Sequence, residues 1–199
     1  MKKYLLGITI AILLATPLAA QVEQPLDVIK KNVDGVLNVL RNPALQGESA
    51  VTEKKEALRH ISNEMFHWPQ LSRRVLSKNW KTLNTDQQQE FVTLFKDILE
   101  QAYIDRILAY KDEKIEYAGN RMLSDKQAEV ETQILSGSTP VDLVYRLVLI
   151  DGKWGVYDII VEGVSLTQNY RNQFREFLTS KTAAQLIDHL RKKVGQPEA

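Results

Sequence analysis

The sequence predicts an α+β fold: helices over residues 25–110, an antiparallel sheet of about four strands over 114–162, and closing helices over 165–194. Three observations carry this. Apolar residues recur at helical spacing up to about Tyr110, alternate one by one from Lys114, and return to helical spacing after Ser165. Asp151-Gly152, set between two alternating runs, is a strong hairpin signal, so the strands pair antiparallel. Helices before and after the strands, rather than between them, give the α+β order.

Each element has its own signature. In the first helix Ile29, Val33, Val36, Leu37 and Leu40 share a face, and Asn42-Pro43 stops it. A second covers roughly residues 49–66, with Leu58, Ile61 and Met65 inward. Pro69, a favoured first-turn residue, opens a short third carrying Leu71, Val75 and Leu76. Thr85 with Gln88 fits a capping box, in which two side chains satisfy the free backbone donors of a helix start. It opens a long helix whose inner face is Phe91, Phe95, Ile98, Leu99, Ala102 and Tyr103. Ile115 and Tyr117 mark a first strand. Ala128, Val130, Thr132 and Ile134 mark a second, ended by Ser136-Gly137-Ser138. Val141, Leu143, Tyr145, Leu147 and Leu149 alternate in a third, and the fourth runs from Lys153 to Glu162. Of the closing helices, one carries Tyr170, Phe174 and Phe177; the other is capped by Thr182 with Gln185 and carries Leu186 and Leu190.

A two-residue loop at Asp151-Gly152 sets Leu149 opposite Trp154, Leu147 opposite Val156, Tyr145 opposite Asp158 and Leu143 opposite Ile160. That face is heavily apolar. The reverse face, with Val148, Val144, Ile159 and Val161, is half apolar as well. A sheet with one solvated face alternates more cleanly, so this one is expected to be covered on both sides or to bound an interior space.

Residues 1–20 read as a secretory leader: Lys2-Lys3, an apolar run from Tyr4 to Leu14, then small residues at Ala15-Thr16-Pro17-Leu18-Ala19-Ala20. The run falls short of the roughly 20 residues that span a bilayer. The mature chain is expected to be one domain over 21–199, exported and soluble. Losing Lys2 and Lys3 takes the 26 basic residues to 24 against 25 acidic ones, a net charge of −1. That balance argues against nucleic acid, which calls for a basic face. With no cysteine, disulfides and thiolate chemistry are excluded.

Catalytic motifs are missing: there is no G-x-S-x-G, H-E-x-x-H or phosphate-cradling glycine loop. His60, Glu64 and His67 share a helical stretch, but two histidines seven residues apart make poor joint metal ligands, so no metal or cofactor is expected. Asp158 is the one polar residue on the apolar sheet face. A structural hydrogen bond to Tyr145 is the favoured reading there; an acid/base pair on a cone-shaped fold is the enzymatic alternative. From the residues alone, the aromatic and aliphatic positions fit a filled core and a lined cavity equally well.

Gly152-Lys153-Trp154-Gly155-Val156-Tyr157-Asp158, continuing through Glu162-Gly163-Val164-Ser165, resembles the toluene-tolerance family, with its Trp, then Tyr-Asp, then Glu-Gly-Val-Ser pattern. Pro140-Val141-Asp142-Leu143 fits the preceding strand. Leu76, Trp80, Thr85, Gln88, Phe91, Phe95, Leu99 and Tyr103 fit the family's long helix and its approach. The resemblance covers about residues 25–193. Two departures are a tight hairpin where some members have a longer loop, and the irregular segment 41–50 with Pro43 and Gly47.

The resemblance implies a nuclear-transport-factor-like sheet packed with helices around an apolar cavity. It implies a monomeric, non-enzymatic periplasmic carrier of diacyl phospholipid between outer and inner membranes. The partners implied are an inner-membrane ABC transporter complex of the Mla type and an outer-membrane lipoprotein–porin complex. On that reading we assign the lipid tails to Leu71, Val75, Leu99, Tyr103, Val130, Ile134, Leu143, Tyr145, Leu147, Val156, Ile160, Val164 and Phe174, a choice made from pattern. A carrier of another amphiphile, such as a hopanoid, is the alternative within the same architecture.

Overall fold

Four helices, five strands and two further helices follow one another in a computed structural model that describes residues 22–110, 113–136 and 139–195. The expected leader over residues 1–20 and Gly137-Ser138 lie outside the described residues. The helices are α1 (Pro25–Arg41), α2 (Val51–Met65), α3 (Trp68–Leu76), α4 (Thr85–Leu108), α5 (Leu166–Phe177) and α6 (Ala183–Val194). The strands are β1 (Lys114–Ser124), β2 (Gln127–Ser136), β3 (Thr139–Ile150), β4 (Lys153–Val161) and β5 (Val164–Ser165), joined antiparallel in sequence order. The architecture is α+β.

Local chemistry explains most boundaries. Pro25 occupies the first turn of α1, and past Arg41 the Asn42 side chain accepts the Ala44 N–H to start a short 3-10 turn. The box that opens α4 sits one residue earlier than expected: Asn84 Oδ1 accepts from Gln87 N at 2.9 Å, and Gln87 Oε1 accepts from Asn84 N at 3.0 Å. Asn84 carries the extended backbone that a cap requires, which leaves Thr85 as the first helical residue. Thr182 and Gln185 form the expected box at α6. On α4, Phe91, Phe95, Ile98 and Leu99 are buried, whereas Ala102 is exposed.

At the hairpin, Asp151 (φ 50°) and Gly152 (φ 77°) both take the left-handed backbone that a two-residue turn matching the strand twist demands. Leu149 pairs with Trp154 and Leu147 with Val156 as expected, but the register then slips. Tyr157 is an extra residue, so Arg146 pairs with Asp158, Tyr145 with Ile159, Val144 with Ile160 and Leu143 with Val161. The bulge frees the Tyr157 carbonyl from the ladder, and Thr167 Oγ1 donates to it at 3.0 Å. A second tight turn at Glu162 (φ 50°) and Gly163 (φ 79°) returns the chain as β5, a fifth strand beyond the four expected.

Two apolar clusters result. One lies among α3, α4, α5 and α6, around Leu71, Val75, Phe91, Phe95, Leu99 and Phe174. The other lies between α1 and the sheet, around Ile29, Val130, Tyr145, Leu147, Trp154 and Val156. Phe66, in the link between α2 and α3, packs against both. There the link joins the edge of β4: His67 N–H donates to the Val156 carbonyl at 2.8 Å. A Cβ on Gly155 would stand 2.8 Å from the His67 Cβ, so only glycine lets the link come this close.

Candidate functional site

The assigned tail-lining residues divide between the two clusters. Leu71, Val75, Leu99 and Phe174 are buried in the helical one, with Tyr103 half-buried against it. Val130, Tyr145, Leu147 and Val156 are buried in the sheet cluster, with Leu143 packed at its margin. Ile134 is half-buried opposite Val141 and belongs to neither cluster. Ile160 is turned away: past the bulge it stands opposite Val144 on the reverse face, and Ile159 takes its place in the sheet cluster. Val164 is 62% exposed, because the Glu162-Gly163 turn carries it out to solvent.

The same slip removes Asp158 from Tyr145. Asp158 sits on the reverse face, where Oδ2 accepts from Ser165 Oγ at 2.7 Å and Oδ1 accepts from Thr167 N at 2.9 Å. It therefore anchors the start of α5. It also ends a row of charges across four strands: Arg121 to Glu129 at 2.6 Å, Glu129 to Arg146 at 2.8 Å, and Arg146 to Asp158 at 3.7 Å. Hydrogen bonds from Arg121, then Arg146, hold the buried Glu129 carboxyl below the usual range. The expected Asp158–Tyr145 hydrogen bond is not made, and neither is the acid/base pair.

His67 has a local task. Its Nδ1 accepts from Gln70 N at 3.2 Å and caps α3, while His60 lies beside Glu64 at 3.8 Å on an exposed face.

Around Phe66 the geometry becomes specific. Its ring stacks on Trp68 with centroids 4.8 Å apart. Phe66 and Trp154 line a surface hollow of about 500 Å³ beside the Asp151-Gly152 turn, together with Glu64, His67, Ile150 and Gly155. On the buried face of α3, which starts at Trp68, Trp68 Nε1 and Ser72 Oγ have no hydrogen-bond partner among the described residues. They are four residues apart, hence on one side of the helix. The nearby phenols add no charge: burial raises the Tyr145 hydroxyl, and burial followed by the neighbouring Tyr103 pushes Tyr170 up to about 12.

Phe66, Trp68, Ser72 and Trp154 were missing from the residues assigned by pattern. Phe66 stands in the link before α3 and follows no helical or strand period, whereas Trp68 opens α3 and shares its buried face with Leu71, Ser72 and Val75, a spacing the sequence does show. For Phe66 the one sequence signal is a large aromatic in a two-residue connection just ahead of Trp68-Pro69.

Comparison with known proteins places this geometry. The profile of the family described as MlaC protein matches residues 30–192. The intermembrane phospholipid transport system binding protein MlaC of Haemophilus influenzae is 25% identical over 129 residues, 62% of this chain and 60% of that protein's own length. Toluene tolerance protein ttg2D of Pseudomonas putida is 26% identical over 170 residues, 84% of this chain and 79% of that protein. A phospholipid-binding protein from Ralstonia solanacearum, solved in complex with a phospholipid, superimposes with a TM-score of 0.78 at 22% identity, covering 87% of this chain and 98% of that one. That last likeness establishes the shared fold, and the profile match across most of the sequence establishes kinship: the chain belongs to the MlaC protein family.

Proposed function

We propose that this chain is a periplasmic phospholipid carrier, a single lipid-binding domain over residues 21–199, with the acyl chains entering between the two apolar clusters at Phe66. The observation that carries the reading is the pair of buried donors, Trp68 Nε1 and Ser72 Oγ, set in an otherwise apolar interior beside the residue common to both clusters. A buried donor without an acceptor costs about 1–3 kcal/mol. The ester oxygens of a diacyl lipid supply acceptors at the depth where its tails begin.

The energetics suit a carrier. A phospholipid has roughly 30 methylenes worth about 0.8 kcal/mol each, so moving it through water bare costs about 25 kcal/mol. A carrier must offset most of this, yet not more than a bilayer does, or the lipid is never released. Half-buried Phe66, Leu143, Leu149 and Tyr103 can yield to tails, because they already border open space. Asp158 and Tyr145, on opposite faces of the sheet, supply no acid/base pair, which favours a carrier over an enzyme. Release and direction fall to membrane partners, for which we propose an inner-membrane ABC transporter complex and an outer-membrane lipoprotein–porin complex, met by a monomer.

Native mass spectrometry of mature protein from a periplasmic extract tests the reading. A diacyl phospholipid adduct supports it. Protein that stays lipid-free after incubation with vesicles refutes it.

A further inference from the structure

On the flank of α3 away from the apolar interior lies a second hollow, of about 450 Å³, bounded by α3, the 3-10 turn that follows it, and α5. Its lining includes Arg73, Arg74, Lys78, Lys81 and Arg171, and no carboxylate. Five cations gather here on a chain whose basic and acidic residues nearly balance. None of the five takes part in an ion pair among the described residues.

Two of the five cations, Arg74 and Arg171, are held in place. The Arg74 guanidinium lies 3.8 Å from the centroid of the Tyr157 ring, the bulged residue of β4, and its buried Nε has no hydrogen-bond acceptor. Arg171 Nε donates to the Arg74 carbonyl at 2.8 Å, which fixes the α5 side of the groove against α3. Ser77 turns the chain within the groove at φ 52°, a backbone seldom adopted by a serine. Trp80, half-buried and edge-on to Phe91 at 6.5 Å, forms an aromatic wall.

We propose that this groove binds phosphate groups of phospholipid headgroups at a bilayer surface and seats the carrier there. Planar guanidinium groups with free donors match phosphate oxygens two at a time. Five positive charges exceed the single negative charge of one phosphodiester, so the groove suits a surface that presents several. A half-buried tryptophan beside them is the aromatic type favoured at a membrane–water boundary. The inference rests on the carrier reading and adds to it a direct hold on anionic bilayer surface, beside the protein partners proposed above.

The test is flotation of the mature protein with vesicles of phosphatidylcholine alone and of phosphatidylcholine with about one third phosphatidylglycerol. We expect binding to the anionic vesicles only, lost as salt rises from about 0.05 to 0.5 M. Combined R73E, K78E and K81E, all at exposed positions, should weaken it at least about a hundredfold. Circular dichroism confirms that the variant folds, and native mass spectrometry reads its cargo. Equal binding to both vesicle types, or a variant that binds anionic vesicles as well as the parent, overturns the proposal. In that event protein that purifies loaded keeps the carrier reading intact. Empty protein that still binds through the groove refutes the cargo reading and leaves the groove standing.

Discussion

Arg146 and Asp158 face one another across β3 and β4, 3.7 Å apart, because Tyr157 stands out of the ladder between Val156 and Asp158. One unpaired residue thus decides which face of the sheet carries the carboxylate. On the inner face it would sit among Val130, Tyr145 and Leu147. On the outer face it meets a guanidinium, a serine hydroxyl and the first turn of α5.

Asp158→Ala should cost about 2 kcal/mol of stability, measured by urea unfolding, because it strips two donors at α5 of their acceptor, while half-exposed Arg146 keeps Glu129. Asp158→Asn keeps part of the hydrogen bonding and should lose less. A neutral Asp158→Ala would show that α5 holds its place without this anchor.

Glu129 makes stability depend on acid. Its folded carboxyl titrates below its unfolded value, so its contribution is fully present above the unfolded value of about 4.3 and fades as pH falls through the lower folded one. Urea unfolding from pH 7 down to about 2 should show Glu129→Gln less stable than the parent at neutral pH, with the gap narrowing in acid. A gap that stays constant with pH would contradict this.

Two glycines should respond in opposite directions to alanine. At Gly155 the new methyl meets His67 at 2.8 Å, so the α2–α3 link must shift, at a cost of about 2 kcal/mol. At Gly35, inside α1, the nearest atom is Ile61 Cδ1 at 3.5 Å, an ordinary contact. Helix propensity then favours alanine by up to about 1 kcal/mol. Paired thermal melts decide the matter.

Ser72→Ala separates a structural serine from a lipid-facing one. Since Ser72 Oγ is buried without a partner among the described residues, the delipidated variant should be at least as stable as the parent, by up to about 1 kcal/mol. The loaded variant should shed lipid faster, read as a lower adduct fraction in native mass spectra. Unchanged occupancy would place the ester oxygens elsewhere.

Alternation and turn chemistry made most of the sheet legible, because period two and the Asp-Gly dipeptide each constrain register locally. Legibility ended at Tyr157. Val156-Tyr157-Asp158-Ile159 threads equally well with or without a bulge, and only Arg146 hinted that Asp158 would gain a partner by slipping. The cap at Asn84 rather than Thr85 is a choice between adjacent residues that can both cap, settled by backbone angles. Val164 misled because a valine after Glu162-Gly163 looks like strand core, whereas the turn there throws it outward. Membership of the two clusters was partly readable, but Phe66 joining them was not: it lies in a link without periodicity, and only the tertiary fold sets it against both.

Each strand after β1 lies beside the strand that precedes it in the chain. Such a meander has low contact order, so its pairings close short loops and need no distant partner to arrive first. On the export route proposed for this carrier, the sheet can zip up hairpin by hairpin once across the membrane. With no cysteine, that assembly waits for no oxidant or disulfide shuffling.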